Sequence, residues 1–260
     1  MNKKSDRIEK IHLTLKRLGA VSIKELATTL QVTEMTIRRD LQLLSERNLV
    51  KILHGGAMYT APDKNFSDSE KVYSYDEELL KNTEAKRRIG EKAASLVIPH
   101  DTIIIDSGTT TEYLGKHLRD DIPLTVLSYS LNIINLVCSR VNFEPIVAGG
   151  TFHRNTLSFV GSTGMELIKQ IRASKVFISA SGVSDTLGVT STNLYEIEIK
   201  QAVINSSHTS ILLVDSSKFN QVKIAHFADI QDFDVIITDT NVPSEYIGIA
   251  KELGVEMYCV

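Results

Sequence analysis

The chain has 260 residues, of which 42% are hydrophobic and 23% charged, with a formal net charge of −3. This composition is typical of an ordinary soluble globular protein with room for two domains, and no stretch is apolar enough to span a membrane. The polar N-terminus lacks the apolar segment of a secretory signal, so we expect a cytoplasmic protein. Cys138 and Cys259 lie far apart, which favours reduced thiols, and the His and Cys spacings predict no metal site; no cofactor is expected either.

The charge is distributed unevenly along the chain. Residues 1–59 contain 11 Lys and Arg against 6 Asp and Glu, whereas the later residues contain 18 against 26. The N-terminal part therefore carries a net charge of +5 and the remainder −8. A locally basic surface attracts the phosphate backbone of DNA even when the whole protein is mildly acidic.

Residues 22–57 carry the pattern of a winged helix-turn-helix, a DNA-binding fold. Ser22 and Glu25 have capping-box spacing at the start of one helix, and after a turn at Gln31 and Val32, Thr33 is placed to cap a second helix. Apolar residues recur at helical spacing in both helices. They are Ile23, Leu26, Ala27 and Leu30 in the first helix, and Met35 or Thr36, Ile37, Leu41 and Leu44 in the second.

The second helix is predicted to be the recognition helix. Arg38 and Arg39 face away from its apolar side, and Arg can bond guanine O6 and N7 with two donors. The alternative is that these residues, with Asp40, form an ordinary solvated charged face. Residues 49–53 have strand composition, and the glycines that follow permit a tight reversal into residues 57–59, which predicts a two-stranded wing. The predicted DNA-binding residues are Ser22, Thr33, Glu34, Met35, Thr36, Arg38, Arg39, Lys51, His54, Gly55 and Gly56.

This N-terminal region resembles the DeoR/GlpR family of bacterial sugar-metabolism repressors. The resemblance extends over nearly the whole chain, and its N-terminal marks are Leu18-Gly19, residues 21–27, Val32-Thr33, residues 36–41, Leu44 and residues 54–57. It implies a DNA-binding transcriptional repressor of a sugar or nucleoside catabolic operon, released from its operator by a phosphorylated sugar.

The chain beyond residue 59 divides into a linker and a second domain. Residues 60–82 are polar and then acidic, and we predict a linker with some local helix between a DNA-binding domain at 1–59 and an effector-binding and oligomerisation domain at 83–260. From residue 83 onward, apolar strand runs alternate with helical patterns, which is typical of an open α/β sheet. The predicted strands are 102–105, 124–127, 145–148, 176–179, 210–214, 235–237 and 256–260, and the predicted helices are 84–97, 110–118, 131–140, 195–205 and 244–252.

Ligands of such sheets bind beyond the carboxyl ends of the strands. Residues 106–111 follow the first strand as a hydroxyl-rich turn that enters a helix, which suits phosphate or simply caps the helix. Lys218 is placed to reach a phosphate, and Asp215 either accepts from sugar hydroxyls or caps a turn. Glu196 and Lys200 either form an i, i+4 ion pair or contact the ligand. The predicted effector-binding residues are Asp106, Ser107, Gly108, Thr109, Thr110, Thr111, Ser128, Tyr129, Ser130, Asn132, Gly149, Gly150, Gly182, Glu196, Lys200, Asp215 and Lys218.

These turns also resemble the effector domain of the DeoR/GlpR family. The resemblance implies a fold related to ribose-5-phosphate isomerase. Within the family it is strongest to regulators of deoxyribonucleoside operons, through residues 129–132, 149–153 and 179–183, which favours deoxyribose 5-phosphate as the inducer. Another pentose or hexitol phosphate on the same scaffold is the alternative.

A sugar-phosphate isomerase is a second alternative, from a different class of protein. Isomerisation needs a positioned general acid or base. Isomerases of this fold carry Asp-Gly-Ala-Asp followed by a Lys and a glycine run, whereas this chain has Ser179-Ala180-Ser181-Gly182 and lacks the glycine run at residues 187–190. We therefore expect a regulator without enzyme activity. We also expect a homo-oligomer, at least a dimer, because one small winged domain buries too little surface for tight operator binding.

Overall fold

The structure, a computed structural model, describes residues 3–18, 20–46, 49–53, 56–59 and 73–260. The chain forms two compact units, residues 1–71 and residues 72–260. Residues 73–82, the last part of the expected linker, therefore belong to the larger unit. In the described part of the chain, no helix is long and apolar enough to cross a bilayer.

The smaller unit combines three helices with a three-stranded antiparallel sheet. Its elements in chain order are α1 Lys3–Leu18, β1 Ala20–Ser22, α2 Ile23–Leu30, α3 Glu34–Glu46, β2 Val50–Leu53 and β3 Gly56–Tyr59. The strand order is β1-β3-β2, and β2 and β3 form the antiparallel pair predicted as the wing. The helix-turn-helix and the wing are thus confirmed.

The apolar faces predicted for α2 and α3 form the core of the smaller unit. All of the predicted residues from Ile23 to Leu44 contribute to it except Met35, whose side chain is 60% exposed, and Thr36, which is half-buried. Helix α1 is not among the predicted helices, although Ile8, Ile11 and Leu15 recur in it at helical spacing. Ile11 and Leu15, one turn apart, are fully buried in this core.

The larger unit alternates strands and helices. Its strands are β4 Thr102–Ile105, β5 Leu124–Ser128, β6 Phe143–Val147, β7 Thr151–His153, β8 Ser158–Val160, β9 Ala173–Ser179, β10 Gly182–Ser184, β11 Gly188–Ser191, β12 Ser207–Leu213, β13 Ala225–Ala228, β14 Val235–Thr238 and β15 Glu256–Cys259. Its helices are α4 Tyr75–Leu79, α5 Thr83–Ser95, α6 Thr109–His117, α7 Leu131–Cys138, α8 Ser162–Gln170, α9 Ile197–Asn205 and α10 Ser244–Glu252. Short 3-10 helices lie at Leu194–Glu196, Ser216–Lys218 and Ile230–Asp232.

Seven of these strands form one parallel sheet in the order β15-β14-β12-β9-β4-β5-β6. They are the seven predicted strands, so the open α/β sheet is confirmed. Alternate residues of each strand enter two separate cores, as Ile103 and Ile104 of β4 illustrate. Helices α5 to α7 supply apolar side chains to one core and α8 to α10 to the other. Because both faces are covered, central runs such as those of β4 and β14 are almost entirely apolar.

Several elements of the larger unit are not predicted by the sequence patterns. Helix α8 is a nine-residue helix that buries Gly164, Met165 and Ile168. The hairpin of β7 and β8 and the small antiparallel sheet β10-β11-β13 are built from strands of three or four residues. Strands this short leave no alternation to detect.

Candidate functional site

The predicted recognition helix, α3, presents its polar side to solvent. Thr33 caps the helix, since its hydroxyl accepts from the Thr36 backbone N–H at 3.3 Å. Arg38 and Arg39 are both exposed, and Arg38 lies 3.9 Å from Glu34 one turn earlier. An exposed ion pair of this kind contributes little to stability, so Arg38 is available to another partner. Glu34 and Met35 are also exposed.

Asp40 is buried, whereas the two arginines beside it are exposed. Its carboxylate is buried and accepts from Arg7 Nε of α1 at 2.6 Å. The run of residues 38–40 is therefore not a uniform solvated face: Asp40 anchors the helix to α1, while Arg38 and Arg39 point away. The sequence pattern does not reveal this pair because its members are 33 residues apart.

The remaining predicted DNA-binding residues lie at the start of α2 and in the wing. Ser22 caps α2, because its hydroxyl accepts from the Glu25 backbone N–H at 3.1 Å. Lys51 lies in β2 and Gly56 in β3, where an added Cβ would come within 2.9 Å of the Val21 carbonyl oxygen. His54 and Gly55 lie outside the described residues. The role of all eleven residues in DNA binding stays a prediction.

A cleft lies at the carboxyl end of the parallel sheet of the larger unit, where the sequence predicts the effector site. It comprises about 470 Å³ of empty space, which includes space open to solvent. Seven predicted effector residues line it: Ser107, Gly108, Thr109, Thr110, Glu196, Lys200 and Lys218. Seven others line it without having been predicted: Tyr73, Glu78, Thr156, Ser179, Ala180, Ser181 and Ser191.

Asp106, directly after β4, is fully buried behind the cleft. One carboxylate oxygen accepts from the Tyr129 hydroxyl. The other accepts from the backbone N–H and the hydroxyl of Ser179, each at 2.9 Å, and from Lys200 Nζ at 2.6 Å. Lys200 is only 2% exposed and also donates to the Ser179 carbonyl oxygen at 3.0 Å. Asp106 therefore fixes β9 and α9 against the loop that begins α6.

The Lys200 contact overturns one predicted alternative. Lys200 is paired with Asp106, 94 residues away, and not with Glu196 one turn earlier. Glu196 is buried and instead accepts from the hydroxyl of Ser191 and, at 2.9 Å, from the side-chain amide of Asn193. Since the 3-10 helix Leu194–Glu196 ends where α9 begins, Glu196 and Lys200 do not share a regular helical face.

Several predicted effector residues are buried behind the cleft and do not line it. Tyr129 is 1% exposed, and burial together with the Asp106 charge raises the pKa of its phenol, which stays protonated as a donor. The Thr111 hydroxyl bonds the Asp106 carbonyl oxygen at 2.8 Å. Ser128 donates to the Ile105 carbonyl oxygen at 2.7 Å, and Ser130 to Asn132. These side chains are occupied in holding the loops that form the site.

The predicted glycines have structural reasons of their own. A Cβ at Gly150 would lie 2.4 Å from the Val160 backbone, and Gly149 O contacts α8 at Gly164. A Cβ at Gly182 would lie 2.4 Å from the Gln221 carbonyl oxygen. Gly150 and Gly182 therefore allow backbones to approach each other rather than a ligand. A Cβ at Gly149 would meet no atom within 4 Å, so the close approach there depends on Gly164. Gly108 does line the cleft, and there a Cβ would collide with the Ser179 hydroxyl at 2.4 Å.

The segment expected to be linker supplies one wall of the cleft. Glu78 of α4 accepts from Lys218 Nζ at 2.8 Å and from Lys81 Nζ at 2.5 Å. Burial acts to raise the pKa of Glu78, but the hydrogen bonds from Lys218 and Lys81 outweigh it and lower the pKa to about 2. Tyr73 lies nearby, and burial with the charges of Glu196 and Glu78 raises the pKa of its phenol, so Tyr73 is a neutral donor. In a segment predicted as linker, Tyr73 and Tyr75 are a sequence signal of packing.

Asp215 caps the turn that positions Lys218. Of the two roles predicted for Asp215, the structure therefore shows the cap. One carboxylate oxygen accepts from the Ser217 backbone N–H at 3.1 Å and from the Asn82 side-chain amide at 2.8 Å. Its other oxygen is buried without a hydrogen-bond partner among the described residues. Lys86 of α5, which is 1% exposed, is the cation that interacts with this carboxylate electrostatically.

Lys86 gives the larger unit a predicted pH dependence. Burial lowers the pKa of Lys86 from 10.5 to about 8, although Asp215 acts in the opposite direction. Because the unfolded chain then holds this proton more tightly than the folded protein, the free energy of unfolding should rise as the pH increases from about 8 to 10.5. We expect urea unfolding of Lys86→Met to lose this rise, whereas Lys251→Met, an exposed control in α10, keeps it. An identical pH profile in Lys86→Met and the wild type would contradict the assignment.

The next question is which functional groups are available to bind a metal ion or a small molecule. Among the residues that the structure describes, no group of three or more His, Cys, Asp or Glu is arranged to hold a metal ion. Cys138 and Cys259 are both free and exposed. The cleft thus offers hydroxyls, backbone N–H groups, carboxylates and two ammonium groups, which can bind a polar, hydroxylated small molecule.

Comparison with known proteins gives matches over both units. Residues 7–62 match the DeoR-like helix-turn-helix domain, and residues 81–240 match the DeoR C terminal sensor domain. The lactose phosphotransferase system repressor of Staphylococcus epidermidis is 31% identical over 240 residues, covering 92% of this chain and 93% of that protein. The deoxyribose operon repressor of Escherichia coli K12 is 30% identical over 255 residues, covering 98% of each chain. Among solved structures, ribose 5-phosphate isomerase A of Methanocaldococcus jannaschii aligns with a TM-score of 0.39 and 16% identity, covering 54% of this chain and 55% of that chain.

A helix-turn-helix unit followed in the same chain by a sensor domain defines a transcriptional regulator that responds to a small molecule. The chain belongs to the DeoR family of transcriptional regulators. Its relatives are regulators and not enzymes, and this chain is accordingly a regulator and not an isomerase.

Proposed function

We propose that the protein represses a sugar or nucleoside catabolic operon and leaves its operator when a phosphorylated sugar binds the cleft of the larger unit. The favoured inducer is deoxyribose 5-phosphate. The observation that carries the proposal is the position of the cleft, where the loop of residues 107–110 begins α6 beside Lys218. The protein acts in the cytoplasm, where bacterial DNA lies.

The start of α6 is suited to the phosphate of such a ligand. The first N–H groups of any helix have no partner within the helix, and the helix dipole favours an anion there. Ser107, Thr109 and Thr110 add hydroxyl donors at the same place, and Lys218 adds a positive charge. Glu196 and Ser181, which line the cleft as well, offer hydrogen bonds to the hydroxyls of a sugar.

The relatives support the class of ligand more strongly than its identity. One is named for a deoxyribose operon and another for a lactose phosphotransferase system, and their identities to this chain are 30% and 31%. The preference for deoxyribose 5-phosphate rests on the residues after β5, β6 and β9, which resemble the deoxyribonucleoside branch of the family. Release by a different sugar phosphate is the second possible outcome.

The protein is proposed to act as a homo-oligomer, at least a dimer, on a repeated or palindromic operator. A single small domain with one recognition helix buries too little surface for tight and specific binding. Light scattering of the purified protein checks this. A monomer that binds a single half-site tightly would contradict it.

The experiment that tests the proposed function is an operator-binding assay with a panel of sugar phosphates. An operator is first selected from a random duplex library with the purified protein, and its affinity is then measured by fluorescence anisotropy with and without each compound. We expect deoxyribose 5-phosphate to weaken binding by one to two orders of magnitude, or about 1–3 kcal/mol. Unphosphorylated deoxyribose is the matched control and should have little effect. If no phosphorylated sugar changes the operator affinity, the proposed function is wrong.

A further inference from the structure

The charges around the cleft do not favour an anion in the arrangement that the structure shows. Two cations line it, Lys200 and Lys218, and both are already paired: Lys200 with Asp106 and Lys218 with Glu78. Glu196 adds a third carboxylate to the same site. The formal charges of the two carboxylates and two ammonium groups that line the cleft itself cancel. A phosphate therefore gains a free ammonium group only if one of the two pairs opens.

The two pairs differ in how easily they open. Asp106 is fully buried and accepts four hydrogen bonds, three of them from groups other than Lys200. Breaking this pair would leave a buried charge uncompensated. The Glu78 carboxylate lines the cleft itself and its side chain is 16% exposed. Its partners are the exposed Lys81 and the partly buried Lys218. Glu78 is thus the carboxylate that an incoming anion can replace.

Replacement of Glu78 by an anion would affect α4, the helix that contains it. Glu78 lies in α4, a helix of only five residues and the first helix of the larger unit after residues 60–72, which connect it covalently to the DNA-binding unit. Besides the ion pair to Lys218, α4 is held by the Tyr75 hydroxyl, which donates to Glu112, and by Lys86 Nζ, which donates to the Glu78 carbonyl oxygen. A helix this short has little stability of its own and depends on such contacts.

We propose that the anionic group of the effector and the Glu78 carboxylate compete for Lys218, so that effector binding breaks the ion pair that fixes α4. This inference rests on the proposed function and names how its site is regulated. The ion-paired arrangement is the one that binds the operator. An effector that replaces Glu78 frees the start of the larger unit, and the two ligands are coupled because each favours a different arrangement of α4.

Two substitutions test the competition, because they have opposite effects on effector binding and the same effect on operator binding. Glu78→Gln removes the competing charge and leaves Lys218 free, so deoxyribose 5-phosphate should bind at least about tenfold more tightly. Lys218→Met removes the group that both anions use, so the same ligand should bind at least about tenfold more weakly. Both should weaken operator binding in the absence of effector. Glu77→Gln, which changes the neighbouring exposed carboxylate of α4, is the matched control and should change neither affinity.

Isothermal titration with deoxyribose 5-phosphate and separately with inorganic phosphate supplies the effector affinities, and circular dichroism verifies that each variant is folded. If Glu78→Gln binds both probes no more tightly than the wild type, the competition is overturned even where the wild type responds to the sugar phosphate. If Glu78→Gln binds inorganic phosphate more tightly but no phosphorylated sugar releases the wild type from its operator, the competition stands and the proposed function fails.

Discussion

Asp106→Ala should destabilise the larger unit by about 3–5 kcal/mol, because it leaves Lys200 as a buried cation without a counter-charge. Lys200 is 2% exposed and its other recorded acceptor is the Ser179 carbonyl oxygen. The substitution also removes the acceptor for Tyr129. Urea unfolding followed by circular dichroism measures the change. Asp121→Ala, which removes one partner of the exposed Arg119–Asp121 pair, should change the stability little.

A double substitution separates the unpaired charge from other losses. Asp106→Ala combined with Lys200→Met removes the buried cation as well, and we expect it to recover part of the stability lost in Asp106→Ala alone. If the single variant Asp106→Ala is as stable as Asp121→Ala, the Asp106–Lys200 pair does not stabilise the larger unit as we expect. The same variant should also fail to bind sugar phosphate, because the loop of residues 107–110 loses its anchor to β9.

Arg38→Ala and Arg39→Ala should each weaken operator binding without unfolding the smaller unit, since both side chains are exposed on α3. If one arginine contacts a base with two donors, its loss should cost about 1–3 kcal/mol for the selected operator and relax specificity at one position. If the other contacts phosphate, its loss should weaken all sequences alike and reduce the salt dependence. Fluorescence anisotropy with selected and scrambled duplexes distinguishes the two. Arg119→Ala, a surface arginine of the larger unit, is the charge-matched control.

Unchanged operator affinity in both arginine variants would remove α3 from the recognition surface. Arg38 can leave its exposed ion pair with Glu34 to contact DNA, because such pairs contribute little to stability in water. Asp40, in contrast, is expected to act on stability alone, because its carboxylate is buried against Arg7.

The regular elements of this fold are largely predictable from the sequence, because burial produces a strong periodic signal. Seven apolar runs predict the seven strands of the parallel sheet, and the apolar faces of α2 and α3 are those found in the core. Very short elements are not predictable in this way. Strands β7, β8 and β10 have three residues each, which is too few for an alternation to be detected.

The candidate site is predictable only in part, since its pairings are not local. The turn after β4 is found because small polar residues before a helix are a local signal. The partner of Lys200 lies 94 residues away, whereas the sequence suggests Glu196 at four residues. Glu78 contacts Lys218 across 140 residues, from a segment whose polar composition resembles a linker. Gly150 and Gly182 are required by close packing of two backbones, and a sequence does not distinguish such glycines from glycines that a ligand approaches.

The most direct test of the regulator described above is to measure both sides of the coupling between effector and operator. Isothermal titration gives the affinity of deoxyribose 5-phosphate for the free protein and for the protein saturated with its selected operator. Anisotropy gives the operator affinity with and without the sugar phosphate. We expect each ligand to weaken the binding of the other by the same factor, about one to two orders of magnitude, because the coupling free energy is shared. Equal affinity of the effector for free and operator-bound protein would contradict it.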